Sequence, residues 1–166
     1  MVLDRDTLKQ LEADKLWQSA LVEISRTYSE FISGTSKCNV ILLITERNYF
    51  TEFYEYLLKP HFEEKFHEEI HYGSVINGAG LRRYANEIKE KIVFLTEGLN
   101  WLADRYARKH RIKAVKDLLQ ASSQYGKFLI LCGYTHNLSR FREYLSLAYA
   151  SKQLPEVRVV NLKPLP

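Results

Sequence analysis

The sequence predicts an α/β fold, a three-layer sandwich with a mainly parallel five-stranded sheet preceded by an N-terminal helix. Three runs, VILLI at Val40 to Ile44, IVFL at Ile92 to Leu95 and FLILC at Phe128 to Cys132, contain almost no polar residue. Strands buried on both faces read this way, and such strands are typically parallel. Each run is followed by apolar residues at helical spacing, so strand and helix alternate. Repeated alternation means βαβ units with right-handed crossovers, the pattern of flavodoxin-like and Rossmann-like sandwiches.

The elements follow in order. Leu16, Trp17, Ala20, Leu21, Ile24, Tyr28, Phe31 and Ile32 recur at steps of three and four, one stripe of a helix ending near Gly34. After the first strand, Phe50, Phe53, Tyr54 and Leu57 mark a helix from Asn48 that should stop near Leu58, with a second beginning at Pro60, because proline removes an interior hydrogen bond. HYGSVI, residues 71–76, is a weaker second strand. After the third, Trp101, Leu102 and Tyr106 continue as helix, with a break expected near His110 and a new helix through Ile112, Val115, Leu118 and Leu119. The fourth strand leads into Leu138, Phe141, Leu145 and Ala148, and VRVVNL, residues 157–162, supplies the fifth.

A chain of 166 residues with 46% apolar and 13% aromatic residues can fill a core without staples, which argues against disorder. The organisation expected is one domain over 1–166: the helix within 1–34, βα repeats over 38–163 and a tail at 164–166. Cys38 and Cys132 adjoin or end apolar runs, where thiols behave as small hydrophobes, so no disulfide framework is indicated. The start MVLDRDTLKQ is too charged for a signal peptide, and no apolar run approaches the ~20 residues that span a bilayer. The expectation is a soluble, cytoplasmic protein without a membrane partner. A net charge of +4 favours anionic partners mildly.

Several stretches could carry chemistry. VINGAGLRRYANEI, Val75 to Ile88, passes from a β-branched run through Asn-Gly-Ala-Gly into a helix opened by Arg82 and Arg83. Asn77, Gly78 and Gly80 suit a tight turn and the arginines a solvated face. Alternatively, backbone N–H groups at the helix start hold an anion with the arginines as charge partners. A dinucleotide fingerprint is missing, since the first strand turn is ITERN and NGAGLRR gives only G-x-G. SGTSK lacks Walker A spacing, and no G-x-S-x-G exists. Standard nucleotide cofactors are therefore not expected.

Thr45–Glu46 and Thr96–Glu97 each follow a strand at once, and FLILC is followed by Gly133, Tyr134, Thr135 and His136. Ligands in open α/β sheets bind beyond the carboxyl ends of strands, and a flavodoxin-like order would set Glu46 beside Glu97. Such a pair near His136 could bind a divalent ion or share acid and base roles. Threonine and glutamate also serve helix starts with no chemistry at all.

PHFEEKFHEEIH would place Glu64, His67, Glu68 and His71 together on a helix with His61 nearby, but only one E-x-x-H occurs and no metal site is assigned. RYARKHRIKAVK carries Arg105, Arg108, Lys109, His110, Arg111, Lys113 and Lys116, which could track a phosphate backbone while Tyr106 stacks on a base. Tyr49 and Tyr56 lie off the core stripe of their helix and offer a surface for a protein partner or a homodimer. Together these features favour a non-catalytic recognition module that binds a protein partner, and nucleic acid or another phosphate-bearing ligand through Arg82, Arg83, Arg105, Arg108 and Lys109. The alternative is an enzyme acting on a phosphate-containing substrate with Glu46, Glu97 and His136 as its site.

Overall fold

In the computed structural model, residues 4–6, 14–74, 83–150 and 152–162 are described. Helix α1 (Lys15–Ile32) begins where Asp14 Oδ1 accepts the N–H groups of Leu16 and Trp17 at 2.8 and 3.2 Å, satisfying two first-turn donors. It ends just before Gly34, which takes φ +79°, a backbone conformation open to glycine at no steric cost. Its buried face is Trp17, Ala20, Leu21, Ile24 and Tyr28, whereas Leu16 and Ile32, at the ends of the expected stripe, are nearly half exposed at 46% and 45%.

Strands β1 (Val40–Thr45), β2 (Ile70–Gly73), β3 (Ile92–Leu95), β4 (Phe128–Tyr134) and β5 (Arg158–Asn161) form one five-stranded sheet in the order β2–β3–β4–β1–β5, and every pairing is parallel. The three apolar runs are its buried interior, as their composition implies. Alternation divides their side chains between two cores. Ile41, Leu43, Phe94, Ile130 and Cys132 face α1 and the helices after β1. Leu42, Ile44, Val93, Leu95 and Leu131 face the helices after β3 and β4. The protein is thus a three-layer α/β sandwich with an N-terminal helix.

The connection after β1 departs from expectation. Helix α2 (Phe50–Phe53), a π-helical stretch (Tyr54–Leu58) and α3 (Lys59–Phe66) run on without a stop at Leu58. Pro60 sits in the first turn of α3, and the wider π turn before it shifts the backbone pairing so that its missing N–H and its ring are accommodated without a break. On the other face lie α4 (Arg83–Asn86), α5 (Gly98–Leu102), α6 (Arg108–Gln124) and α7 (Leu138–Ala148). The break after α5 falls a turn earlier than His110: Ala107 adopts φ 52° as the N-cap of α6, and Tyr106, expected on the helix, is 67% exposed beside it. Among the described residues no helix is long and apolar enough to cross a membrane.

The strand order fixes where a site can form. From β1 the chain crosses to the far edge at β2 over the face of α2 and α3, then returns through β3 and β4 and on to β5 over the opposite face. A reversal along the sheet demands a change of face when crossovers are right-handed. Neighbours β1 and β4 therefore send their chains to opposite faces, and a crevice opens between them. The same order separates β1 from β3, so Glu46 and Glu97 are not side by side; β4 lies between their strands.

Candidate functional site at the ends of β1 and β4

The registers Ile44 to Gly133 and Thr45 to Tyr134 bring the ends of β1 and β4 level. Beyond β1 the chain turns tightly, with the Arg47 N–H donating to Thr45 Oγ1 at 3.3 Å and the Tyr49 N–H to the Arg47 carbonyl at 3.0 Å. Beyond β4, a 3-10 turn (Thr135–Asn137) leads into α7. The two turns border an open cleft of about 680 Å³ lined by Glu46, Arg47, Asn48, Tyr134, Thr135 and His136. It occupies the crevice where ligands bind in open α/β sheets.

A polar bracket beneath the cleft holds the second turn. Asn100 Oδ1 accepts from the Tyr134 N–H at 2.9 Å and from Asn137 Nδ2 at 2.7 Å, while Asn100 Nδ2 donates to Glu97 Oε2 at 3.3 Å. Asparagine is a favoured helix N-cap. Asn137 stands at that position of α7, yet its amide is turned to Asn100 and makes no cap bond. Gly133 permits the approach: a Cβ there would lie 2.6 Å from Leu99 Cβ and 2.7 Å from Asn100 Oδ1. Tyr134 and His136 stack, with rings 9° from parallel and centroids 5.9 Å apart, and Phe50 reaches Tyr134 from α2 at 6.4 Å. Glu46 and Arg47 are exposed, and among the described residues neither side chain has an ion-pair partner.

Of the strand-end residues singled out from sequence, Glu46 and His136 line one cleft and Glu97 does not, being engaged by Asn100. Arg47, Asn48 and Asn100 were not singled out. Arg47 and Asn48 follow Glu46 in ITERN, the turn after the first buried strand; Asn100 is the one polar residue in GLNWL.

The basic candidates are dispersed. Arg82 and the turn at Asn77 to Gly80 lie outside the described residues, and Arg83 pairs with Glu87 at 3.7 Å. Arg105 folds onto its neighbour, with its guanidinium 5.0 Å from the Tyr106 ring centre and Nη2 donating to the Tyr106 hydroxyl at 2.9 Å. Arg108 meets Glu143 at 2.6 Å, and Lys109 is exposed. Arg111 lies 3.5 Å over the Trp101 ring and 3.7 Å from Asp104. Lys113 is matched to Asp117 at 3.3 Å.

The histidine-rich stretch does not share a helix face, since α3 ends at Phe66 and His67 takes φ 54° as its C-cap. His61 faces α1, and His71 lies in β2, 3.7 Å from Glu90. Tyr49 is half-buried against Trp17, with ring centroids 6.0 Å apart, so of the two candidate partner-facing tyrosines Tyr56 alone stands exposed. No family model matches the chain, and no curated protein matches it.

Proposed function

We propose that the protein is a non-catalytic recognition module whose phosphate-bearing ligand sits in the crevice between the ends of β1 and β4. The observation that carries this reading is the coincidence of the chain-reversal crevice with a cleft that holds a guanidinium, Arg47, without an ion-pair partner among the described residues. A guanidinium binds phosphate through two parallel N–H bonds at once. Asn48 and Thr135 add neutral polar groups beside it, and the stacked Tyr134 and His136 rings offer a flat wall to an unsaturated part of the ligand. The start of α7, without a side-chain cap, adds a favourable dipole end toward negative charge.

An enzyme acting on a phosphate-containing substrate is the second reading, favoured by the presence of Glu46 and His136 in the same cleft. The carboxylate pair that reading called for is absent from that cleft, because β4 lies between β1 and β3 and Glu97 follows β3.

Calorimetric titration with pyrophosphate and with a nucleoside diphosphate tests the proposal. Losing a hydrogen bond to a charged group costs about 1.5–3 kcal/mol, so Arg47→Gln should weaken binding by about 10- to 150-fold. Glu46→Gln should bind at least as tightly as the native chain, since it removes a negative charge. Absence of saturable binding by either probe, or unchanged binding by Arg47→Gln, overturns the reading. Turnover of the diphosphate that disappears in Glu46→Gln would establish the enzyme instead.

A further inference from the structure

A second cluster lies away from the crevice, between α1 and α3. Ser25, 3% exposed on α1, points its hydroxyl at two basic side chains of α3: His61 Nε2 at 2.9 Å and Lys65 Nζ at 3.3 Å. They border a cleft of about 260 Å³ also lined by Arg26, Ser29 and Glu30. At about 30 Å³ per water this volume holds several waters, enough room for a small hydrated oxyanion. Among the described residues no carboxylate lies within ion-pair distance of Lys65 or His61, and the one acidic group of the cleft, Glu30, is drawn to Arg26 at 3.9 Å.

We propose that Ser25, His61 and Lys65, with Arg26 and Ser29 at the rim, form a binding site for a phosphate-type oxyanion. The convergence itself is the argument. A serine hydroxyl has one proton to give, and a lysine ammonium can only donate. Lys65 therefore donates to Ser25 Oγ, and the hydroxyl proton is free to turn to the unprotonated Nε2 of His61. Lys65 is exposed at the mouth and keeps its remaining ammonium protons for a ligand, while the buried Ser25 hydroxyl fixes its position beside His61. An oxyanion in the mouth accepts from the remaining Lys65 protons, from the Ser29 hydroxyl and from Arg26. A protonated His61 would complete the set.

The site carries its own pH dependence. Burial first, and Lys65 second, hold His61 below its ordinary pKa, with Glu64 opposing them. From α1, Arg26 and Glu30 line the same cleft and are paired with each other at 3.9 Å. A bound anion favours the imidazolium, so it raises the pKa of His61, and by linkage anion binding tightens as pH falls through that pKa.

The test is NMR of the His61 imidazole in the full chain, titrated with inorganic phosphate at constant ionic strength maintained with chloride. Phosphate should shift the His61 resonances saturably and move its titration midpoint upward. Lys65→Gln should weaken binding by about tenfold, the loss of one charged hydrogen bond, while Lys65→Arg, which keeps the charge, should retain most of it. Arg47→Gln should leave the His61 response intact, which separates this site from the crevice. A response that never saturates, or equal affinity in Lys65→Gln and the native chain while both remain folded by thermal melting, overturns the proposal.

Discussion

Removing one side chain, Asn100, tests whether the turn after β4 is held in place or merely follows the strand. In Asn100→Ala the Tyr134 N–H and the Asn137 amide lose their common acceptor, at 2.9 and 2.7 Å, and Glu97 loses a donor. An unsatisfied buried polar group costs about 1–3 kcal/mol. Both bonds are only partly buried, which lets water recover some of the loss. The lower end applies to each, giving about 2 kcal/mol in total. For a chain of this size that lowers the melting temperature by about 4–8 °C. Urea unfolding should show a lower midpoint with an unchanged slope. Asn100→Asp sharpens the test: it keeps an acceptor for Tyr134 and Asn137 but sets a second carboxylate against Glu97. Like charge raises the carboxyl pKa values in the folded state, so the deficit of this variant should grow as pH rises through about 4 and shrink below it. A loss under about 0.5 kcal/mol in Asn100→Ala, the scatter of ordinary surface changes, would refute the bracket.

Two further expectations concern buried titratable groups. Cys132 is fully buried on β4, and burial, with Glu97 a lesser cause, raises its thiol well above the ordinary range. A disulfide reagent should therefore modify it only as fast as the native chain opens, and rapid labelling would contradict its placement. Tyr28 and Tyr54 are pushed up to about 12, each chiefly by burial, with Glu68 assisting at Tyr28 and Glu55 at Tyr54. The unfolded chain releases these protons at about pH 10 while the folded one keeps them, so stability should be intact below pH 10 and fall as pH rises from there toward 12. Urea midpoints across that range check the sign. Because the Tyr28 hydroxyl is buried without a partner among the described residues, Tyr28→Phe should be as stable as the native chain at neutral pH and lose less above pH 10.

The central strands were legible because a strand buried on both faces has no alternative composition. FLILC and VILLI have no polar position, and each sends alternate residues into a different core. The helix breaks were less legible. At Pro60 the chemistry was read correctly, as a missing N–H and a ring that needs room, but a π turn meets that need without ending the helix. At Ala107 nothing in an alanine announces φ 52°. The break there follows from packing, since the Tyr144 hydroxyl and Arg140 on α7 bind the carbonyls of Asp104 and Ala103 and tie down the loop.

The site was half legible for a different reason. Which residues stand at strand ends is local information, and Glu46, Tyr134, Thr135 and His136 could be read directly from their position after apolar runs. Which strand ends are neighbours is set by crossovers of many residues, and no local pattern encodes it. With β4 in place of β3 beside β1, Glu46 and Arg47 of the first turn face Tyr134, Thr135 and His136 instead of Glu97. The strand order also gives Glu97 another role. On its own strand end the glutamate reaches Asn100, and Asn100 reaches the turn that carries Tyr134 and His136. Its charge therefore acts on the cleft through a neutral amide and not as a ligand. Acid–base work requires a carboxylate that itself reaches the reacting atoms, and at this crevice the carboxylate in that position is Glu46 and not Glu97.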